Sequence, residues 1–134
     1  MIAVGTTSLR VLETVRRLAL DRRTEDLISW PEDPADPAPL FAGTARRLPA
    51  GWEVEGTTRL FLMPPDVIGA ADGLLTNFHL PGSSLLMLVA AFTGERSWRE
   101  AYAHAIRECF RFYSYGDAML ILAGTGGEDH HDAS

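Results

Sequence analysis

His79 and Asp117 are the side chains in this sequence best placed for acid–base or charge work, because each stands where an apolar run meets a turn. His79 lies in Thr76-Asn77-Phe78-His79-Leu80-Pro81, at the point where a buried strand breaks. A bend there delivers Asn77 and His79 as polar groups at the end of a core element. An imidazole so placed is either a hydrogen-bonded structural group or a general acid or base. Asp117 closes Ser114-Tyr115-Gly116-Asp117. It either caps its own turn or offers charge to a cation, with the ring of Tyr115 or Phe78 supplying an aromatic face. A third turn, Gly5-Thr6-Thr7-Ser8, opens a helix. Its hydroxyls and free backbone N–H groups serve as a carboxylate or phosphate site, or as plain N-capping. Arg10, one turn further in, can meet an anion through two parallel bonds.

Other chemistries lack their motifs. Ser83 and Ser84 are not in a Gly-x-Ser-x-Gly elbow, so a hydrolase reading is poor. No Gly-x-Gly-x-x-Gly follows the first strand and no phosphate-binding Walker sequence occurs. No credible metal set is present. His130-His131 lies beside acids, but in a polar tail that offers no fixed geometry.

The elements that must position these residues follow from periodicity. Ile2 to Val4 reads as a short buried strand. The helix after it has Leu9, Leu12, Val15, Leu18 and Ala19 on its apolar face. Arg16, Arg17, Arg22 and Arg23 take the opposite face and the last turn, where cations suit the helix dipole. Residues 31–56, with Pro31, Pro34, Pro37, Pro39 and Pro49, read as a mobile loop holding at most a short strand near Phe41. Thr58 to Met63 is a strand stopped by Pro64-Pro65. Gly73 to Phe78 is the next strand, broken at Leu80-Pro81-Gly82.

Leu85 to Phe92 is apolar on every side, which predicts a buried helix closed by Gly94. It is far too short to cross a bilayer, which takes about 20 residues. Ser97-Trp-Arg-Glu100 has the form of a capping box. It starts a helix with Trp98, Ala101, Tyr102, Ala105, Cys109 and Tyr113 along one face. Ala118 to Ala123 reads as a final buried strand, and residues 124–134 as a disordered tail.

Strand and helix alternate, so the class is α/β, a small mixed sheet with flanking helices over residues 1–123. Two helices separate Phe78 from Ala118 and form a hairpin, which returns the chain to the end it left. The last strand therefore runs antiparallel. Ser114 to Asp117, Gly5 to Ser8 and Asn77 to His79 then share one rim, where open sheets bind ligands.

Charge neither demands nor forbids an anionic partner. The net charge of -6 arises from acids in the Pro-rich stretch and the tail, and the rest of the chain balances. All twelve bases are arginine, and they form no basic stripe. At 134 residues and 46% hydrophobic the chain suits one domain. Its single cysteine, Cys109, argues against a disulfide framework and fits a cytoplasmic location. A core strand at residue 2 with no lead-in suggests part of a larger protein.

Read together, Ala3-Val-Gly-Thr-Thr-Ser-Leu-Arg10, Leu12-Glu13, Asp72-Gly-Leu-Leu-Thr-Asn-Phe-His-Leu-Pro81, Leu85-Leu-Met-Leu-Val89, Ala91-Phe92, Ala101-Tyr102 and Arg111-Phe-Tyr-Ser-Tyr-Gly-Asp-Ala-Met119 resemble one family. It is the S-adenosylmethionine:tRNA ribosyltransferase-isomerase family of queuosine biosynthesis. The resemblance implies the C-terminal part of a larger α/β domain, whose inserted β-barrel domain and N-terminal portion lie outside this chain. It implies S-adenosylmethionine as substrate, no metal, and a tRNA carrying 7-aminomethyl-7-deazaguanine as partner. The ribosyl part passes to the aminomethyl group at the wobble position and rearranges to the epoxycyclopentanediol of epoxyqueuosine, while adenine and methionine leave. A non-catalytic binding module and a generic phosphate-binding protein are the competing readings.

On that chemistry His79 is the candidate base for the carbon beside the sulfonium, and Asp117 the carboxylate that steadies the sulfonium. Gly5 to Ser8 with Arg10 are candidates for the methionine carboxylate. Phe78 or Tyr115 would stack on a base, with Asn77, Ser114 and Gly116 alongside. The chain departs from the usual family pattern at Pro64-Pro65-Asp66 and at Gly82-Ser83-Ser84.

Overall fold

The computed structural model describes residues 1–20, 27–29 and 41–123. In chain order these form β1 (Ile2–Val4), α1 (Thr6–Leu20), β2 (Leu27–Ser29), β3 (Phe41–Leu48), β4 (Gly51–Thr58), β5 (Gly73–Asn77), α2 (Ser84–Thr93), α3 (Glu95–Arg107) and β6 (Ala118–Leu122). The expectations for Arg22, Arg23, residues 30–40 and the tail, His130-His131 included, lie outside the described residues.

One sheet is mixed, in the order β1-β5-β6. β1 runs parallel to β5, with Val4 beside Leu75, and β6 runs antiparallel to it, with Leu120 opposite Leu75 and Ala118 opposite Asn77. The antiparallel return expected from the helical hairpin is present. Ala3, Leu74 and Thr76 point inward to a core with Phe78, Leu86, Val89, Tyr102 and Ala105, while Met119 and Ile121 pack against it.

Gly94 makes the hairpin. Its φ of 82° suits glycine, and its N–H donates to the Ala90 carbonyl at 2.9 Å, ending α2. The same residue is the N-cap of α3, so that helix starts at Glu95 and Ser97 already lies inside it. The expected capping box does not form. Glu100 instead accepts from Arg96 at 2.9 Å. α3 also stops at Arg107, which leaves Cys109 exposed and beyond the helix, at a φ of 57°, with Tyr113 in the following loop.

Three further expectations are corrected. Residues 41–58 are a β-hairpin, β3 against β4, with β2 pairing on β3, rather than mostly loop. Strand-poor residues such as Ala, Gly and Arg hid it. Residues 59–63 form no ladder, although Leu60 and Leu62 are buried by alternation and Phe61 and Met63 are exposed. Leu9 is buried as expected, but the buried face of α1 also carries Thr6, Glu13 and Thr14, while Ala19 is exposed and Leu12, Val15 and Leu18 are only half-buried.

Neither α2 nor β6 is buried all round. Met87 of α2 is exposed, as are Leu120 and Leu122 of β6.

Candidate active site at the sheet rim

The carboxyl ends of β1 and β5 and the amino end of β6 form one rim. Gly5 continues the ladder, its N–H donating to the Leu75 carbonyl at 2.8 Å, and its own carbonyl accepts from Leu9 N–H at 3.2 Å. It is thus both the last sheet-like residue and the cap of α1. The N–H groups of Thr6, Thr7 and Ser8 begin the helix and have no partner within it. Thr6 is buried, while Thr7 and Ser8 are exposed. Arg10 is half-buried, and its guanidinium has no hydrogen-bond or ion-pair partner among the described residues.

β5 delivers His79 two residues past its end. The imidazole Nε2 lies 2.9 Å from Thr76 Oγ1, and the backbone N–H of His79 donates to Tyr102 Oη at 2.9 Å. Burial lowers the His79 pKa below the ordinary 6.5, so the ring is neutral at neutral pH. A neutral, half-buried imidazole held at ring and backbone is competent to take a proton.

The loop between α3 and β6 is stitched onto the same bend. Tyr113 N–H donates to the Phe78 carbonyl at 3.1 Å, and Asn77 Nδ2 donates to the Asp117 carbonyl at 3.4 Å. Asp117 is the clamp of this loop. Its Oδ2 accepts from the Arg111 backbone N–H at 2.7 Å and its Oδ1 from the Arg111 guanidinium at 3.1 Å. Those two donors, the backbone N–H first, hold the Asp117 pKa below the usual 3.8. Of its two readings, the turn cap is the one this geometry meets, and pairing with Arg111 leaves little net charge for another cation. Gly116 sits where a Cβ would stand 2.3 Å from the Arg111 carbonyl oxygen and 2.7 Å from that of Phe112. Only glycine fits there.

Two aromatic candidates separate. Phe78 is 4% exposed, with Tyr102, Phe110 and Phe112 around it at centroid distances of 5.4, 5.7 and 5.5 Å. It offers no face to a ligand, so its expected stacking role is withdrawn. Tyr115 is 98% exposed and its ring is open, with exposed Ser114 beside it. Gly5 to Ser8, Asn77, His79 and Ser114 to Asp117 therefore share the rim.

Sequence reading missed Thr76, Tyr102 and Arg111 as partners in the site. Tyr102 reads simply as core, and nothing in the pattern pairs it with residue 79. The reading also missed Glu13 as a partner of Arg16 and Arg17, although its spacing of three and four residues from them is a signal of ion pairing. Among the described residues, no group of three or more His, Cys, Asp or Glu is gathered for a metal ion. No described helix is long and apolar enough to cross a membrane.

Residues 1–121 match the family profile described as "Queuosine biosynthesis protein". The chain belongs to that family. A relative called S-adenosylmethionine:tRNA ribosyltransferase-isomerase, from Psychrobacter cryohalolentis, is 45% identical over 122 residues, 90% of this chain and 24% of the relative. One of the same name from Acidithiobacillus ferrooxidans is 44% identical over 94% of this chain and 28% of its own length. The crystal structure of the S-adenosylmethionine tRNA ribosyltransferase from Thermotoga maritima is similar with a TM-score of 0.62 and 42% identity, covering 90% of this chain and 32% of that one. This member of the queuosine biosynthesis family thus spans less than a third of the length of these relatives. The matched stretch contains all three rim turns.

Proposed function

We propose that this chain is the C-terminal part of an S-adenosylmethionine:tRNA ribosyltransferase-isomerase and supplies one wall of its active site. The match to the family along nearly the whole chain carries this reading. The reaction moves the ribosyl part of S-adenosylmethionine to the aminomethyl nitrogen of a 7-deazaguanine at the tRNA wobble position, as a cytoplasmic step of tRNA modification. Its product is epoxyqueuosine, with adenine and methionine released.

Within that reading His79 is the base that takes a proton from the carbon next to the sulfonium. Its neutral ring and its two fixed contacts support the role. The start of α1 with Arg10 receives the methionine carboxylate, since N–H groups with no partner inside the helix and a guanidinium with none among the described residues both favour an anion there. Tyr115 offers its open ring to a base. Asp117, already bound to Arg111, holds the loop that carries Tyr115, and it steadies the sulfonium only through what charge the pair leaves.

The test joins this chain to a polypeptide supplying the remaining length of the enzyme and follows adenine release from S-adenosylmethionine with substrate tRNA. Turnover that His79→Ala abolishes supports the reading. Release of adenine at an unchanged rate by His79→Ala removes the base assignment, and no release from the joined wild type removes the function.

A further inference from the structure

Among the described residues, nothing covers the outer face of the mixed sheet. The register places Val4, Leu75 and Leu120 in one row across β1, β5 and β6, and Ile2, Gly73 and Leu122 in the next. Their side chains share the face opposite Ala3, Leu74 and Ile121. Ile2 is 50% exposed, Val4 65%, Leu75 37%, Leu120 57% and Leu122 46%. Five large apolar side chains in contiguous rows are not the scattered singles of an ordinary surface.

The strands themselves state how this face is filled. Ile2-Ala-Val4, Leu74-Leu75 and Ala118-Met-Leu-Ile-Leu122 are continuous apolar runs, not alternating ones. Such runs mark strands covered on both sides, and around a parallel pair such as β1 and β5 the cover is helical. The inner face already has its cover from α2 and α3. The outer face lacks one among the described residues.

From this we infer that the outer face of β1-β5-β6 is the seat of a helical layer contributed by the part of the transferase that this chain does not contain. The occupant follows from length, because the chain accounts for only 24% of the Psychrobacter relative and 32% of the Thermotoga maritima enzyme. This inference rests on the functional reading above for the identity of the occupant. It adds the surface, and it has a consequence for the site: the Val4-Leu75-Leu120 row lies next to Gly5, Thr76 and Met119. A layer seated there ends at the rim beside Asn77, which shares the face of Leu75, so docking would add a wall to the cleft.

The test uses this whole chain and, as a separate polypeptide, the part of the Thermotoga maritima enzyme that the chain does not match. A one-to-one complex by light scattering is expected, with Leu75→Glu and Leu120→Glu each weakening it roughly thirtyfold or more. Circular dichroism should be unchanged, because both positions are exposed. Ile106→Glu, at an exposed site on α3, should leave affinity unaltered. Absence of a complex, or one indifferent to Leu75→Glu and Leu120→Glu, overturns the inference. So does a wild-type chain that self-associates through this face, as shown by dimers that Leu120→Glu dissolves. Docking by a His79→Ala chain separates the two proposals: a complex without adenine release from the wild type sinks the function alone, and turnover insensitive to Leu120→Glu sinks the docking alone.

Discussion

His79 Nε2 lies 2.9 Å from Thr76 Oγ1, and Thr76 is only 6% exposed. One ring nitrogen is therefore tied to a hydroxyl of the core, three residues back along the chain. A hydroxyl both donates and accepts, so it accommodates either neutral tautomer. Nδ1 has no hydrogen-bond partner among the described residues, which leaves it for a substrate.

The first prediction concerns pH. Burial holds the His79 pKa below 6.5, so the unfolded chain takes up this proton at higher pH than the folded one. The stabilising contribution of the neutral ring is present above 6.5 and is lost as pH falls through the depressed folded value. Melting temperature should drop from neutral pH toward acid, and His79→Gln should flatten that slope. In the joined enzyme the acid limb of kcat/KM should have its midpoint below 6.5. A midpoint above it would contradict His79 as the base.

Glu13 supplies the second prediction. Its carboxylate is fully buried, with Oε1 accepting from Arg16 at 3.2 Å and Arg17 at 3.0 Å, and Oε2 from the N–H groups of Gly69 and Ala70 at 3.1 Å. The group ties α1 to the segment before β5. Glu13→Ala leaves two backbone donors without partners and should cost about 3–5 kcal/mol in urea unfolding. Arg16→Ala or Arg17→Ala should cost about 1 kcal/mol or less, because each guanidinium stays partly solvated. A larger loss from either arginine than from Glu13 would refute this ranking.

A third prediction follows from Gly116. A Cβ there meets backbone oxygens, which cannot swing aside as a side chain would. Gly116→Ala should open the 111–117 loop and release the Arg111 N–H from Asp117. Hydrogen exchange at the Arg111 and Asp117 amides should accelerate, with a smaller acceleration in Asp117→Asn, which keeps one acceptor. Unchanged exchange in Gly116→Ala would show that the loop is not held as described.

These residues also mark how far the sequence could be read. The rim was legible because it depends on topology: a helical hairpin must return the chain to the end it left, so Asp117 had to meet Asn77. The fate of Phe78 was not legible, since its burial depends on Phe110 and Phe112 folding back over it from the loop after α3. The β3–β4 hairpin was hidden by residues with weak strand preference, whose pairing is decided by the ladder and not by an apolar face. β6 reads as buried and is exposed on one face, a mismatch that points to a covering layer and not to a misread strand. Tyr102 was placed correctly in the core, yet its hydroxyl contact to residue 79 leaves no trace in periodicity.

That contact gives the last prediction. Tyr102 Oη accepts the His79 backbone N–H at 2.9 Å, while the ring packs edge-on against Phe78, Trp98 and Phe112. Burial raises the phenol pKa above 10.0, so it stays neutral across the working range. Tyr102→Phe keeps the ring and removes only the oxygen, leaving the N–H of His79 without its partner. Stability should fall by about 1–2 kcal/mol. In the joined enzyme kcat should fall while KM for S-adenosylmethionine stays near its wild-type value, because α1 and Arg10 are untouched. The ring protons of His79 should shift in NMR spectra, since the bend they ride on has lost its anchor. A Tyr102→Phe protein that loses stability with neither a kcat change nor a His79 shift would make Tyr102 a core residue and nothing more.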